Sequence, residues 1–324
     1  MAEFFTDYSL FLAELLTFAV IVVVIVVLVV SSSKRASRQD GLTVEHLNER
    51  YESLGDTVRR AVDGSERFKQ AAKERRKERK RQDKKGSGRK RIFVIDFKGD
   101  IRASATASLR EEVSAILSAS NNDDRVLVRL ENPGGTVHEH GLAASQLLRL
   151  KQHGLQLTVA VDKVAASGGY LMACVADEII AAPFAIIGSI GVIAQLPNFH
   201  RFLETKGVDF EQVTAGRYKR TLTLFGENTE EGREKLKEEL EDVHELFKRQ
   251  ISEHRSQVDL DTVSTGEHWY GVKALELDLI DRISTSDDFL LEVAADHDLY
   301  SVSYKRRRSL PERVMSGAES LLSR

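Results

Sequence analysis

Arg125-Val126-Leu127-Val128-Arg129-Leu130-Glu131-Asn132-Pro133-Gly134-Gly135 runs an apolar segment into an abrupt stop. A short aliphatic run closed by Pro-Gly reads as a buried strand over Arg125–Leu130, followed by a tight turn. The pattern recurs on both sides. Ile92–Phe97 reads as a strand, Leu155–Val161 as another, and Glu178–Ala181 as a short one closed by Pro183. Between them Ser108–Ala119 and Val137–Lys151 carry helical periodicity, and Ser167 opens a further helix. A long charged helix follows from Thr229 to about Arg255, then a smaller α/β tail from Val258 to Tyr304. Strands alternating with helices predict an α/β domain with substantial parallel sheet. Ligands of such sheets gather beyond the carboxyl ends of the strands. The Gly134-Gly135 turn and the Ser167 loop both lie just past a predicted strand, so the topology brings them together.

The chain has 324 residues, enough for a large core. Its single cysteine, Cys174, sits in an apolar run and excludes both an intramolecular disulfide and a cysteine-rich metal site. The net charge of −3 hides an asymmetry. Residues 34–91 hold 20 Lys and Arg against 10 Asp and Glu, a net of +10, so the remainder carries −13.

Residues 1–8 form an acidic tail. Ser9–Val30 then spans 22 residues whose only charge is Glu14. As a helix it covers roughly 30 Å, one hydrocarbon core. Val and Ile dominate, but from Leu15 to Val30 only Thr17 is polar, a run too long for a buried strand. The start lacks the basic residues and small-residue cleavage site of a signal peptide. A retained transmembrane helix over 9–30 is the expectation. Lys34, Arg35 and Arg38 follow it directly, which by the positive-inside rule puts the body on the cytoplasmic side.

Residues 31–91 read as a basic, partly helical linker. Leu42, Leu47, Tyr51, Leu54, Val58 and Val62 form a weak helical stripe that suits self-association. Beyond Lys69 apolar residues nearly vanish, and Gly86-Ser87-Gly88 marks the boundary of a domain over 92–304. The basic run lacks interleaved aromatics and contains acidic residues, which argues against nucleic acid. Attraction to anionic lipid headgroups, or a plain solvated spacer, accounts for it. Residues 305–324 read as a C-terminal amphipathic helix.

Chemistry concentrates at two residues 52 positions apart. Ser167 precedes Gly168 and Gly169 at a helix start. A serine there is commonly a simple N-cap. The glycines, however, clear the space beside its hydroxyl, and the helix start favours a developing negative charge. Lys219 lies in Ala215-Gly216-Arg217-Tyr218-Lys219-Arg220. Most lysines are surface charges. As a general base it must be neutral, which requires desolvation or nearby like charge, such as Arg217 and Arg220. Ser189, in Gly188-Ser189-Ile190-Gly191, is either a turn serine or the hydroxyl that orients the lysine amine, as the third member of a triad orients its base. The Asn132-Pro133-Gly134-Gly135 turn is explained by Pro-Gly alone, or supplies the Gly135 N–H as an oxyanion donor beside that of Gly168. His138 and His140 follow this turn and are alternative bases. Their spacing is wrong for two metal ligands on one helix face, and no metal, nucleotide or organic cofactor is implied.

Ser167-Gly168-Gly169-Tyr170, Gly188-Ser189-Ile190-Gly191-Val192 and Ala215-Gly216-Arg217-Tyr218-Lys219 together resemble the signal peptide peptidase A family of Ser–Lys membrane proteases. The likeness covers nearly the whole chain and is loosest in the linker. It implies a ClpP/crotonase-like α/β fold of repeated β-β-α units behind the transmembrane helix and linker. It implies Ser167 as nucleophile, Lys219 as base, Ser189 as the lysine's partner, and Gly135 as an oxyanion donor. It further implies homo-oligomeric rings in the bacterial inner membrane that cleave signal-peptide remnants or other peptide and membrane-protein fragments. Asn132 stands where the family usually has serine. Many relatives work outside the cytoplasmic membrane, so the periplasmic face stays open beside the charge bias. Two other readings fit the same fold: a crotonase-type acyl-CoA enzyme, which needs no nucleophilic serine, and a non-catalytic membrane scaffold.

Overall fold

The computed structural model describes residues 15–18, 41–64, 66, 68–74, 77 and 89–305. Leu42–Tyr304 forms one compact unit. The strands expected from sequence are present: β2 (Lys90–Lys98), β3 (Arg125–Glu131), β4 (Gln156–Val161) and β6 (Glu178–Ala181). So are the helices α2 (Thr106–Ala119), α3 (Val137–Gln152) and α6 (Glu230–His254).

The linker expectation needs correcting at its centre. Gly41–His46 is a strand, β1, and Leu47–Asp63 is a helix, α1. β1 lies at the edge of the main sheet beside β10 (His297–Lys305). The unit therefore begins near residue 41 rather than at 92. Leu47 is buried, and the Asn48 side chain clamps the start of β10. Its Nδ2 donates to Ala294 O and His297 O, and its Oδ1 accepts from the Leu299 N–H at 2.7 Å. Of the rest of the stripe, Leu42 lies on β1 and not on the helix, Tyr51 is half-buried, and Leu54, Val58 and Val62 are exposed.

The main sheet has seven strands in the order β1-β10-β2-β3-β4-β6-β9, with β9 at Arg282–Ile283. From β10 to β9 every neighbouring pair is parallel. The C-terminal tail thus completes both flanks of the sheet. Alternation sorts the side chains. Phe93, Ile95, Phe97, Val126, Val128, Leu157 and Val159 share one core cluster with Leu109 and Val113 of α2 and Leu147 of α3. Ile92, Val94, Leu127 and Ala160 belong to a second cluster with Leu47 and with Phe289 of α9 (Ser286–Val293). Burial on both faces explains why β2, β3 and β4 read as nearly continuous apolar runs. Each fully buried aliphatic side chain contributes about 1.5–3 kcal/mol.

After β4 the chain leaves the main sheet. β5 (Val164–Ala166) pairs in parallel with β7 (Ile186–Gly188), which pairs antiparallel with β8 (His268–Tyr270). The short helix α4 (Gly168–Ala173) follows β5, α5 (His200–Thr205) follows β7, α7 (Leu260–Val263) precedes β8, and α8 (Gly271–Glu276) follows it.

Among the described residues no helix is long and apolar enough to cross a membrane. The expected span at 9–30 lies outside the described residues except for Leu15–Phe18, which are helical. The expected C-terminal helix lies outside them beyond Lys305.

Candidate active site

Ser167 stands between β5 and α4 with φ 52° and ψ −120°. Few side-chain-bearing residues hold such a conformation, and its cost must be met by the surrounding structure. Here that structure is β7: the Ser167 N–H donates to Gly188 O at 2.8 Å, extending the β5–β7 register by one residue. Ser167 occupies the N-cap position of α4, yet its side chain makes no capping hydrogen bond. The ordinary reason for a serine at a helix start is therefore absent, and its hydroxyl, on a half-buried residue, is left for other use.

The Asn132-Pro133-Gly134-Gly135 turn packs directly on this loop. A Cβ on Gly134 would lie 2.8 Å from Ser167 Cβ and 2.9 Å from Gly168 N. Gly134 has φ +92°, so glycine is required on two counts. Its N–H is taken by Asn132 Oδ1 at 2.9 Å. The N–H of Gly168 is one of the first in α4, where helix geometry supplies no carbonyl partner. The backbone beyond Gly134 is pinned from the other side, since the Thr136 N–H donates to Ile101 O at 2.9 Å.

Ser189 follows β7 as Ser167 follows β5, with φ 50°. Its N–H donates to Glu267 O at 2.7 Å and its hydroxyl lies 3.4 Å from Gly266 O. Ser167 and Ser189 are thus brought together at the ends of adjacent strands.

Lys219 is placed differently. From Gly191 to Glu231 no residue is buried. This arm closes on itself through Phe199, Phe210 and Phe225, with ring centroids 6.1 and 5.8 Å apart, and through Asn198 Nδ2 donating to Thr223 O and Gly226 O. Arg217 ties it to the start of α6 by an ion pair to Glu231 at 2.8 Å. Lys219 is exposed on the arm, and its N–H donates to Gly216 O. Among the described residues its ammonium group has no hydrogen bond or ion pair with any other side chain. Among the described residues of one chain, nothing desolvates this ammonium as a lysine base requires. Large apolar side chains on the same arm, among them Ile193, Phe202 and Val213, are also exposed.

The two histidines separate. His138 is exposed beside Glu139. His140 is fully buried, with Nδ1 2.9 Å from Thr136 O and Nε2 3.2 Å from Asn132 Oδ1. Both ring nitrogens are engaged by carbonyl oxygens, which leaves no lone pair directed at a serine hydroxyl. Sequence reading missed Asn132 as a buried side chain; an asparagine before Pro-Gly was the available signal, since it closes such turns through its own side chain. Tyr170, within α4, and Cys174, at its C-terminal end, are both buried. The tyrosine hydroxyl donates to Leu279 O at 2.9 Å, and burial pushes the Cys174 thiol up to about 12. Among the described residues no three His, Cys, Asp or Glu side chains converge as metal ligands would.

Models of the peptidase family S49 N-terminal region and of peptidase family S49 match residues 3–147 and 149–300. A probable protease SohB of Buchnera aphidicola subsp. Acyrthosiphon pisum is 45% identical over 98% of this chain and 95% of its own length. The probable protease SohB of Haemophilus influenzae is 56% identical over 70% of this chain, a match spanning 65% of that protein. The 1510-N membrane protease specific for a stomatin homolog from Pyrococcus horikoshii is similar at 11% identity with a TM-score of 0.42, covering 72% of this chain and all of that one. With two consecutive family models matched across nearly its whole length and 45% identity to a relative end to end, the chain belongs to peptidase family S49.

Proposed function

We propose that this peptidase is a serine endopeptidase with a Ser–Lys dyad, anchored in the bacterial inner membrane by residues 9–30. Ser167 Oγ attacks the scissile carbonyl while the neutral amine of Lys219 takes its proton. The tetrahedral oxyanion is held by the N–H groups of Gly135 and Gly168. Lys219 returns the proton to the leaving amine, and a water activated by the same lysine releases the acyl chain. Ser189 orients the amine. The observation that carries this reading is Ser167 itself, a serine in strained backbone at a helix start whose hydroxyl caps nothing.

Lysine serves as a base only when removal from water favours its neutral form. Lys219 is exposed in one chain, on an arm rich in uncovered apolar residues. These uncovered apolar residues support docking of that arm on further copies of the chain, in a homo-oligomeric ring whose assembly completes the site. The excess of Lys and Arg after residue 33 supports a cytoplasmic body. Peptides and membrane-protein fragments, signal-peptide remnants among them, are the substrates such a site suits.

Labelling of the detergent-solubilised full chain with a fluorescent fluorophosphonate tests the dyad. Wild type is expected to label, and Ser167→Ala and Lys219→Ala are not. Correctly assembled wild type that fails to label overturns the reading.

A further inference from the structure

Between the nucleophile loop and the oxyanion turn lies a buried polar pair that the dyad does not use. Asn132 and His140 are both fully buried. Asn132 holds two loops at once. Its backbone belongs to the nucleophile strand: its N–H donates to Val164 O at 2.8 Å, and its carbonyl accepts from the Ala166 N–H at 3.1 Å. Its side chain belongs to the oxyanion turn: Oδ1 accepts the Gly134 N–H at 2.9 Å. Its Nδ2 reaches Met172 Sδ of α4 at 3.2 Å. This side chain consumes the Gly134 donor and leaves the next N–H, that of Gly135, for an oxyanion.

His140 braces the same oxygen from below. Its Nε2 is 3.2 Å from Asn132 Oδ1, and its Nδ1 is held one turn back by Thr136 O at 2.9 Å. A neutral imidazole carries its N–H on one nitrogen only, so the ring donates to one of these two oxygens and meets the other with a bare nitrogen. The ring also fills the space under the second oxyanion donor, because a Cβ on Gly168 would lie 2.5 Å from His140 Cγ. One ring therefore touches the amide that shapes the Gly135 turn and the glycine that opens α4.

We infer that Asn132 and His140 act as a positioning pair that sets the separation of the Gly135 and Gly168 N–H groups. The inference rests on Ser167 being the nucleophile. Neither side chain touches the reacting atoms. Oxyanion donors act only when aimed in advance at the position the charge will occupy, and a misplacement near 1 Å costs on the order of 100-fold. A pair that merely fills the core would affect stability alone.

The test is the kinetics of fluorophosphonate inactivation of the full chain, separating the maximal rate constant from the half-saturating concentration. Wild type and Ser167→Ala come first. If wild type does not react, or Ser167→Ala still does, the nucleophile assignment falls and takes this inference with it. If they behave as expected, the pair is read on its own. Asn132→Ala should lower the maximal rate by about 10- to 100-fold with the half-saturating concentration unchanged. Asn132→Asp, which keeps an acceptor for Gly134, should recover most of that rate. His140→Phe keeps an aromatic ring, somewhat larger than imidazole, and removes both ring nitrogens. It should slow the reaction, and combining it with Asn132→Ala should add little further loss. Rates equal to wild type in folded Asn132→Ala and His140→Phe overturn the inference, as does a loss confined to the half-saturating concentration. Should Asn132→Ala fail to fold, His140→Phe and Asn132→Asp decide by the same rates.

Discussion

Ser167 and Ser189 leave neighbouring parallel strands side by side, each in left-handed backbone. Ala166 is in register with Gly188, the Ser167 N–H donates to Gly188 O, and the φ angles are 52° and 50°. Two strained serines at adjacent strand ends point to a site kept at the expense of stability. Conformations of this kind cost about 1 kcal/mol or more when the residue carries a side chain. Ser167→Gly should therefore raise unfolding free energy in urea by about 1 kcal/mol while abolishing phosphonate labelling. Ser189→Gly should stabilise similarly and slow labelling. A loss of stability in both variants would count against strain held for function.

The arm from Gly191 to Glu231 exposes apolar side chains that water disfavours, with Val213 96% exposed. Val213→Asp and Phe202→Asp should leave the fold of one chain intact, since neither residue belongs to its core. Sedimentation in detergent should shift from oligomer to monomer in these variants, with labelling lost in parallel. Wild type sedimenting as a monomer while labelling at full rate would separate the site from assembly.

Glu112 on α2 is buried, and its carboxylate accepts the Tyr304 N–H at 2.7 Å. Burial is the leading cause that raises its pKa from 4.5 to about 7. The folded chain therefore holds this proton more tightly than the unfolded chain does. Stability falls as pH rises from about 4.5 to 7, by roughly 3 kcal/mol from this group, and the cost persists above pH 7. Glu112→Gln should remove that slope and stabilise the protein at pH 8. Urea midpoints measured at pH 5 and pH 8 check it, and an unchanged difference between the two would refute it.

Arg255 at the end of α6 is only 3% exposed and forks onto Asp281, with Nη1–Oδ2 2.8 Å and Nη2–Oδ1 2.9 Å. Asp281 Oδ2 also accepts the Ile179 N–H of β6 at 2.7 Å. Asp281→Ala leaves a buried guanidinium unpaired and should cost about 3–5 kcal/mol. The double variant Arg255→Met/Asp281→Ala should recover part of it. Thermal unfolding of the three proteins measures this directly.

Residue pattern was sufficient wherever burial on both faces left one solution. β2, β3 and β4 were legible because their apolar runs fit only a covered parallel sheet, and the Pro-Gly-Gly stop fell at the carboxyl end of β3; the Ser-Gly-Gly stop closes β5, a three-residue strand too short to show a pattern. β1 was not legible. It is an edge strand of mostly exposed residues, so it carries no alternation, and its place is decided by β10, more than 250 positions later. The helical stripe was real over α1, but burial stops after its first turn.

At the site, the close packing of the Ser167 loop against the Asn132–Gly135 turn could be read from local glycines, because close approach and positive φ demand them. The lysine could be read only as a candidate, since its surroundings depend on what covers an arm of the chain. Three relationships needed the fold. Ser189 meets Ser167 because β5 and β7 pair; Asn132 joins the two loops because β3 ends against β5; and His140 comes under Gly168 because α3 packs beside α4. Pattern registers what each residue prefers near its chain neighbours, whereas these contacts arise between segments that only the sheet order brings into reach.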